Sequence, residues 1–314
     1  SRESTTGRTR LSLESIHECL YKPLDRSAVL LLYREEAKRH LEEVSRLKKR
    51  VVLMVSLLLL SVLTAVSCAK QAQNPPSANP ASQRKLIAVG EATFAPFEYM
   101  DPKTNKPAGF DVDLITAIAE ASGFTVEYRN LAWNSLIPAL INKEADLVVS
   151  GMTITDERAL EVTFSDPYFT SGQAWAVKEG SPIKTINDLA GKTVAVQINT
   201  TGQYAAEKLN QKFADEKKPE MTLKRLQNAA DVFNELKAGG CDAIVSDLPV
   251  IQEYLKNNPQ DKVVIPEPAF TVEYYGIAMR KADKDIHELI NKGLAKVKAS
   301  GKYDEIYAKY FGKQ

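Results

Sequence analysis

Cysteine is scarce in this chain. Its three members, Cys19, Cys68 and Cys241 in 314 residues, are too few and too scattered for a disulfide framework or a zinc site. Histidine is as rare: His17, His40 and His287 make no metal-ligand spacing and leave no base beside a serine or cysteine nucleophile. No glycine-rich phosphate loop is visible. Charge of one sign is also missing in excess, with 41 Lys/Arg against 40 Asp/Glu. The balance hides a split: residues 1–68 carry 12 basic and 8 acidic side chains, the remainder 29 and 32. A mildly acidic remainder argues against a nucleic-acid partner, which needs a basic face.

No apolar run is long enough for a spanning helix. Lys48-Lys49-Arg50 leads into a run of 16 residues, Val51 to Val66, and then Ser67-Cys68. A spanning helix needs ~20 residues. A basic start, a short apolar stretch and a small residue before the break describe a secretory signal over 48–68. Ala65-Val66-Ser67-Cys68 resembles the lipobox of bacterial lipoproteins, with Ala65 where that pattern prefers leucine. The resemblance implies acylation of Cys68. Residues 69–84 are rich in Pro, Asn, Gln, Ser and Ala, with almost nothing to bury, and suit a disordered tether. Together they predict a soluble domain held by a lipid at the outer face of a membrane. Residues 1–47 are an upstream segment of unknown role, to which the sequence assigns no function.

What is present in quantity is an ordinary globular mixture, 44% apolar and 26% charged, long enough for roughly two domains. From Lys85 onward, strand and helix patterns alternate. Leu86–Val89, Phe124–Tyr128, Ala145–Val149, Thr193–Val196 and Ala243–Val245 read as strands. Val112–Ala121, with Asp111 as candidate cap, and Leu136–Ile141, Gln203–Phe213 and Ala230–Leu236 read as helices. That order implies two α/β units on mostly parallel sheets. Near the end, Ile286, Leu289, Ile290, Leu294 and Val297, then Tyr303, Ile306, Tyr307, Tyr310 and Phe311, form helical stripes of core type. Cys241 precedes an apolar run and reads as a small buried hydrophobe.

The stretch Ser150 to Asp166 carries the most chemistry. A turn of small residues and two hydroxyls precede a helix start, and Arg158 sits on its first turns. Small residues let backbone N–H groups approach a ligand, and a helix start favours an anion. An arginine offers a carboxylate two parallel donors. The stretch therefore reads either as a carboxylate clamp or as an ordinary strand–turn–helix junction with Thr155 as cap and a solvated Arg158.

An ordered series of segments narrows this. Glu91-Ala-Thr-Phe-Ala-Pro-Phe-Glu-Tyr99, Gly109-Phe-Asp-Val-Asp-Leu114, Ser150-Gly-Met-Thr-Ile-Thr-Asp-Glu-Arg158, Phe164-Ser-Asp-Pro-Tyr168, Thr200-Thr-Gly202, Asp242-Ala-Ile-Val-Ser-Asp247 and Tyr275-Gly-Ile-Ala278 follow one another. Over residues 85–314 the chain resembles the polar amino-acid solute-binding proteins of ABC importers, the glutamine/arginine/histidine-binding group. The resemblance implies an α/β, two-lobed periplasmic-binding-protein-like fold. Two mostly parallel sheets flanked by helices would be joined by two hinge strands, near Tyr168–Gly172 and Thr271–Tyr275. Lobe 1 would be 85–169 with 274–314, and lobe 2 would be 170–273, closing like a hinge around the ligand.

The family's pocket falls on named positions. Arg158 matches the arginine that holds the ligand α-carboxylate, helped by N–H and hydroxyl groups at Gly151, Thr153 and Thr201, and Ser150 joins the ligand-binding set. Asp247 matches the carboxylate that receives the α-ammonium, with the Gly151 carbonyl as a further acceptor. Phe94 and Trp133 match aromatic walls around the ligand side chain. Glu91 and Gln197 stand where specificity is read. An inward Glu91 makes an acidic ligand costly, which favours glutamine or a basic amino acid over glutamate.

The implied function is an extracytoplasmic receptor, expected to be a monomer without cofactor or metal. It would capture one polar L-amino acid and hand it to the permease subunits of an ABC importer. An enzyme is the rival reading, since a few relatives are dehydratases. Glu91 is the only plausible acid or base at the side-chain end, and no catalysis is expected.

Overall fold

The computed structural model describes residues 84–313. The expectations for the signal peptide, for lipidation at Cys68 and for the tether fall on residues 1–83, outside the described residues.

The chain enters through β1 (Lys85–Gly90), whose Leu86, Ala88 and Val89 are buried. Short strands β2 (Thr93–Phe94), β3 (Glu98–Met100) and β4 (Pro107–Ala108) form a small antiparallel sheet. Helix α1 (Phe110–Ser122) buries Phe110, Leu114, Ile115, Ala117, Ile118 and Ala119, a stripe at helical spacing. Gly123 stops it at φ 75°, its N–H returning to the Ala119 carbonyl. Then follow β5 (Thr125–Asn130), α2 (Leu136–Ile141), β6 (Leu147–Val148), the single turn α3 (Asp156–Ala159) and β7 (Val162–Phe164). Strand β1 pairs in parallel with both β5 and β6.

Beyond β7 the chain crosses on β8 (Phe169–Ser171) into β9 (Gln173–Lys178) and builds a second sheet. Its members are β10 (Thr193–Gln197), α4 (Thr201–Asp215), β11 (Thr222–Leu226), α5 (Ala229–Ala238), β12 (Ala243–Asp247), α6 (Leu248–Asn257) and β13 (Val263–Val264). The order in that sheet is β11-β10-β12-β9-β13, with β10 parallel to its neighbours and β9 antiparallel to its own. The chain returns on β14 (Glu273–Tyr275) to β15 (Ala278–Arg280), which completes a first sheet of order β5-β1-β6-β15-β7. Helices α7 (Lys284–Ala299) and α8 (Lys302–Phe311) close the fold.

Each sheet is thus mixed rather than uniformly parallel. The βαβ part of each runs parallel, and the strand beside a crossing comes back antiparallel. Strands β8 and β14 pair antiparallel with Phe169 opposite Tyr275 and Ser171 opposite Glu273, the two passages between the sheets. Their inward rings lock into an aromatic cluster. Phe97 meets Phe169 edge-on at 4.9 Å and Tyr275 at 5.1 Å, while Phe311 of α8 lies 5.4 Å from Phe97. The terminal aromatic stripe is packing, as its spacing implied. Cys241 is half-buried, its thiol pushed up to about 11, chiefly by burial.

Asp111 does not cap α1. The helix begins at Phe110 after Gly109, with no side-chain cap, and Asp111 is fully buried. Its carboxylate accepts from the Gly151 N–H at 2.7 Å and from the Tyr168 hydroxyl at 2.8 Å. That helix face turns inward, so the acid serves the adjoining loop instead.

Candidate ligand-binding cleft

A cleft lies between the two sheets. Glu91, Phe94, Trp133, Ser150, Gly151, Thr153, Arg158, Gln197, Thr201 and Asp247 all line it. From the first sheet come Glu91, just past β1, and the loop Ser150–Thr153, just past β6; from the second come Gln197 at the end of β10 and Asp247 at the end of β12. Strand ends of α/β sheets converge on such crevices because the loops there leave their backbone and side-chain groups free.

The two sides already touch. Gln197 Nε2 donates to Glu91 Oε2 at 2.6 Å, and Trp133 Nε1 donates to the Asn199 carbonyl at 2.9 Å. Asn199 Nδ2 donates to Asn134 Oδ1 at 2.9 Å. Trp133 sits in a 3-10 turn, Trp133–Ser135, ahead of α2.

Gly151 shows why the loop needs glycine. Its φ is 49°, and a Cβ there would lie 2.6 Å from the Phe94 ring. Ser150 Oγ accepts from the Glu91 N–H at 3.0 Å and donates to Glu98 Oε1 at 2.5 Å. Glu98 is fully buried beside Asp111; burial first, and then the Asp111 charge, push its carboxyl well above the usual range. Asp111 itself is pushed up to about 7, chiefly by burial. The loop therefore rests on a buried pair of acids.

Arg158 lies on α3, whose Thr155 cap accepts from the Arg158 N–H at 3.2 Å. Its Nη1 donates to the Thr153 carbonyl at 2.8 Å, and the guanidinium carbon is 5.1 Å from the centre of the Trp133 ring. Burial pulls it below the usual arginine range, while Tyr204, Glu273 and Asp247 act the other way. A guanidinium remains charged in such surroundings.

Asp247 is 8% exposed and stands at the cap position of α6, yet makes no capping bond. It accepts instead from the Tyr275 hydroxyl and, at 3.3 Å, from Ser171 Oγ. Burial first, and next the charge of Glu273, raise its carboxyl to about 7. Glu91, 4% exposed, is also raised by burial, with the Gln197 amide opposing.

Two details differ from the resemblance-based expectation. The Gly151 N–H is taken by Asp111, so it does not face a ligand carboxylate. The hydroxyls of Thr153 and Thr201 donate to Glu273 Oε2, at 2.7 and 2.8 Å, rather than standing free as donors. Glu273 itself was not foreseen, nor were Gln173, Thr200 and Gly202 on the wall. A signal for Glu273 existed: on a strand whose Tyr275 points inward, the residue two before it points inward too. The described residues contain no group of His, Cys, Asp and Glu suited to a metal.

Residues 86–313 match the model of bacterial extracellular solute-binding proteins, family 3. The Neisseria gonorrhoeae protein named "Probable histidine-binding protein" is 42% identical over 264 residues, covering 81% of this chain and 93% of that protein. Among solved structures, the arginine-, lysine-, histidine-binding protein ArtJ of Geobacillus stearothermophilus is 43% identical, covers 74% of this chain and 96% of its own, and has a TM-score of 0.68. An ancestral arginine-binding protein bound to glutamine is 42% identical, covers 74% of this chain and 99% of its own, and also has a TM-score of 0.68. The chain belongs to family 3 of the bacterial extracellular solute-binding proteins.

Proposed function

We propose that this chain is a receptor that captures a polar L-amino acid in the cleft and delivers it to an ABC importer, with a basic amino acid favoured and glutamine second. The observation that carries the reading is the pairing of Arg158 and Asp247, contributed by different sheets to one cleft. A zwitterion is the small molecule that satisfies both. Its α-carboxylate meets the Arg158 guanidinium and the unpaired N–H groups at the start of α4, where Thr201 and Gly202 line the cleft. Its α-ammonium meets Asp247.

The ligand side chain then runs between Phe94 and Trp133 toward Glu91 and Gln197. Charge decides the class. Glu91 and Asp247 line the cleft and Glu273 lies just behind it, against one guanidinium, so a ligand with a second cation brings the site nearer to balance. The arginine-, lysine- and histidine-binding relatives support this, and the glutamine-bound ancestral protein supports the second choice.

The lobes are residues 85–169 with 274–314, and 170–273, hinged at β8 and β14. Closing brings Arg158 and Asp247 within reach of one ligand, and contacts made in the closed state draw the population toward it. The protein works outside the cytoplasmic membrane as a monomer, tethered through Cys68, and hands its ligand to permease subunits. It catalyses no reaction. A thermal-shift screen of the twenty amino acids tests the reading. Arginine, lysine or histidine at roughly a hundred times its dissociation constant should stabilise by about 2.7 kcal/mol. No shift with any of the twenty would overturn it.

A further inference from the structure

Glu273 touches nothing in the cleft, yet it commands two residues that do. It is 8% exposed on β14. Oε2 receives the hydroxyl of Thr153 at 2.7 Å and that of Thr201 at 2.8 Å. Gln173 Nε2 reaches the same oxygen at 3.3 Å, and Thr271 Oγ1 donates to Oε1 at 3.1 Å. Thr153 follows the first sheet's β6 and Thr201 opens α4 of the second, with their hydroxyl oxygens 3.3 Å apart.

A hydroxyl has one proton, and a carboxylate only accepts. A charge-assisted bond to Glu273 outcompetes a neutral bond between two threonines. Both protons are therefore committed behind the wall, and the oxygens turn lone pairs to the cleft. Thr201 already acts as an acceptor, receiving Gln173 Nε2 at 3.3 Å. The Gln173 amide is oriented by the same carboxylate, which leaves its buried Oε1 without a partner among the described residues.

We propose that Glu273 is a positioning residue that fixes the Thr153 and Thr201 hydroxyls as acceptors, so that both serve the ligand's α-ammonium beside Asp247. An ammonium has three N–H donors, and these three acceptors match it. The proposal rests on the reading that the ligand is an α-amino acid, and it moves the two threonine hydroxyls, though not the Thr201 N–H, from the carboxylate side of the site to the ammonium side.

The test compares two probes on the same protein: L-arginine, and 5-guanidinopentanoate, which keeps the carboxylate and guanidinium and lacks the ammonium. The ratio of their dissociation constants measures ammonium recognition. Glu273→Gln should shrink that ratio by about fivefold or more, mainly through weaker arginine binding. Thr201→Val, which changes no charge, should do the same, and Thr201→Ser should restore it. The double variant should lose little beyond Glu273→Gln alone, because Thr201 acts through a bond that Glu273 supplies.

If Glu273→Gln does not fold, the Thr201 pair decides by the same ratio. A ratio that changes by less than about fivefold, or equal losses for both probes, overturns the proposal. A parent protein that binds none of the twenty amino acids overturns the receptor reading instead, and that result is seen before any variant is made.

Discussion

Replacing Asp247 with asparagine should make the protein more stable and unable to bind. The carboxyl moves from an ordinary 3.8 to about 7 on folding, chiefly because it is buried and then because Glu273 faces it. That is about three pH units at ~1.36 kcal/mol each, so holding the ion in place costs up to ~4 kcal/mol above neutrality. The folded state binds the proton more tightly than the unfolded chain. Stability linked to this group is therefore complete below the unfolded pKa and is lost as pH rises through 7. Asparagine keeps an oxygen for Tyr275 and Ser171 and carries no charge, but it adds N–H groups that need partners. A net gain of about 2 kcal/mol at pH 8 follows, roughly 4–8 °C in melting temperature for a fold of this size. At pH 4.5, where only about 1 kcal/mol of the penalty remains, the variant should instead be about 1 kcal/mol less stable than the parent. Melting curves of parent and variant across that range measure it. Other buried acids titrate there as well, so the difference between the proteins is the quantity to read. Equal gains at pH 4.5 and pH 8, or a variant less stable at pH 8, would refute the argument.

Arg158→Ala should weaken ligand binding by about 3 kcal/mol or more in a calorimetric titration, because the buried carboxylate loses its charged partner. Glu91→Gln should weaken arginine and lysine by roughly tenfold or more while leaving glutamine nearly unchanged; equal losses for all three would remove Glu91 from side-chain reading. Affinity should also fall with acidification. Asp247 pairs with an ammonium only when ionised, and its carboxyl sits at about 7. Lowering the pH from 8 to 6 should raise the dissociation constant about tenfold in a calorimetric titration.

The alternation of apolar strand and helix patterns from Lys85 onward was legible because burial writes a period into the chain. Leu114, Ile115 and Ile118 on α1 show it plainly. Cleft residues were legible only through an ordered family pattern, since nothing local says that Arg158 and Asp247 face each other across two sheets. Hydrogen-bond direction was not legible at all. Asp111 reads as a cap in the sequence but lies in the first turn of α1, and its use on Gly151 depends on a loop 40 residues away. Glu273 takes protons from residues 120 and 72 positions distant. Polar partners at such separations leave no period for a sequence to display.

The same residues show that Asp247 stands beside a strand that passes between the two sheets. Asp247, Glu273 and Tyr275 meet where β12 and β14 approach, and each contact spans parts that move relative to one another if the lobes swing. A buried carboxylate is unfavourable there unless a cation joins it. On the proposed reading a ligand ammonium would supply that cation while Arg158 and the start of α4 held the other end of the same molecule, and the unfavourable burial of Asp247 would act as selectivity. A neutral solute leaves the ion uncompensated, an acid adds to the repulsion, and an amino acid carrying a second cation relieves Glu91 as well. Stability and affinity should accordingly respond to pH in opposite directions, the first lost and the second gained as the solution turns alkaline through 7.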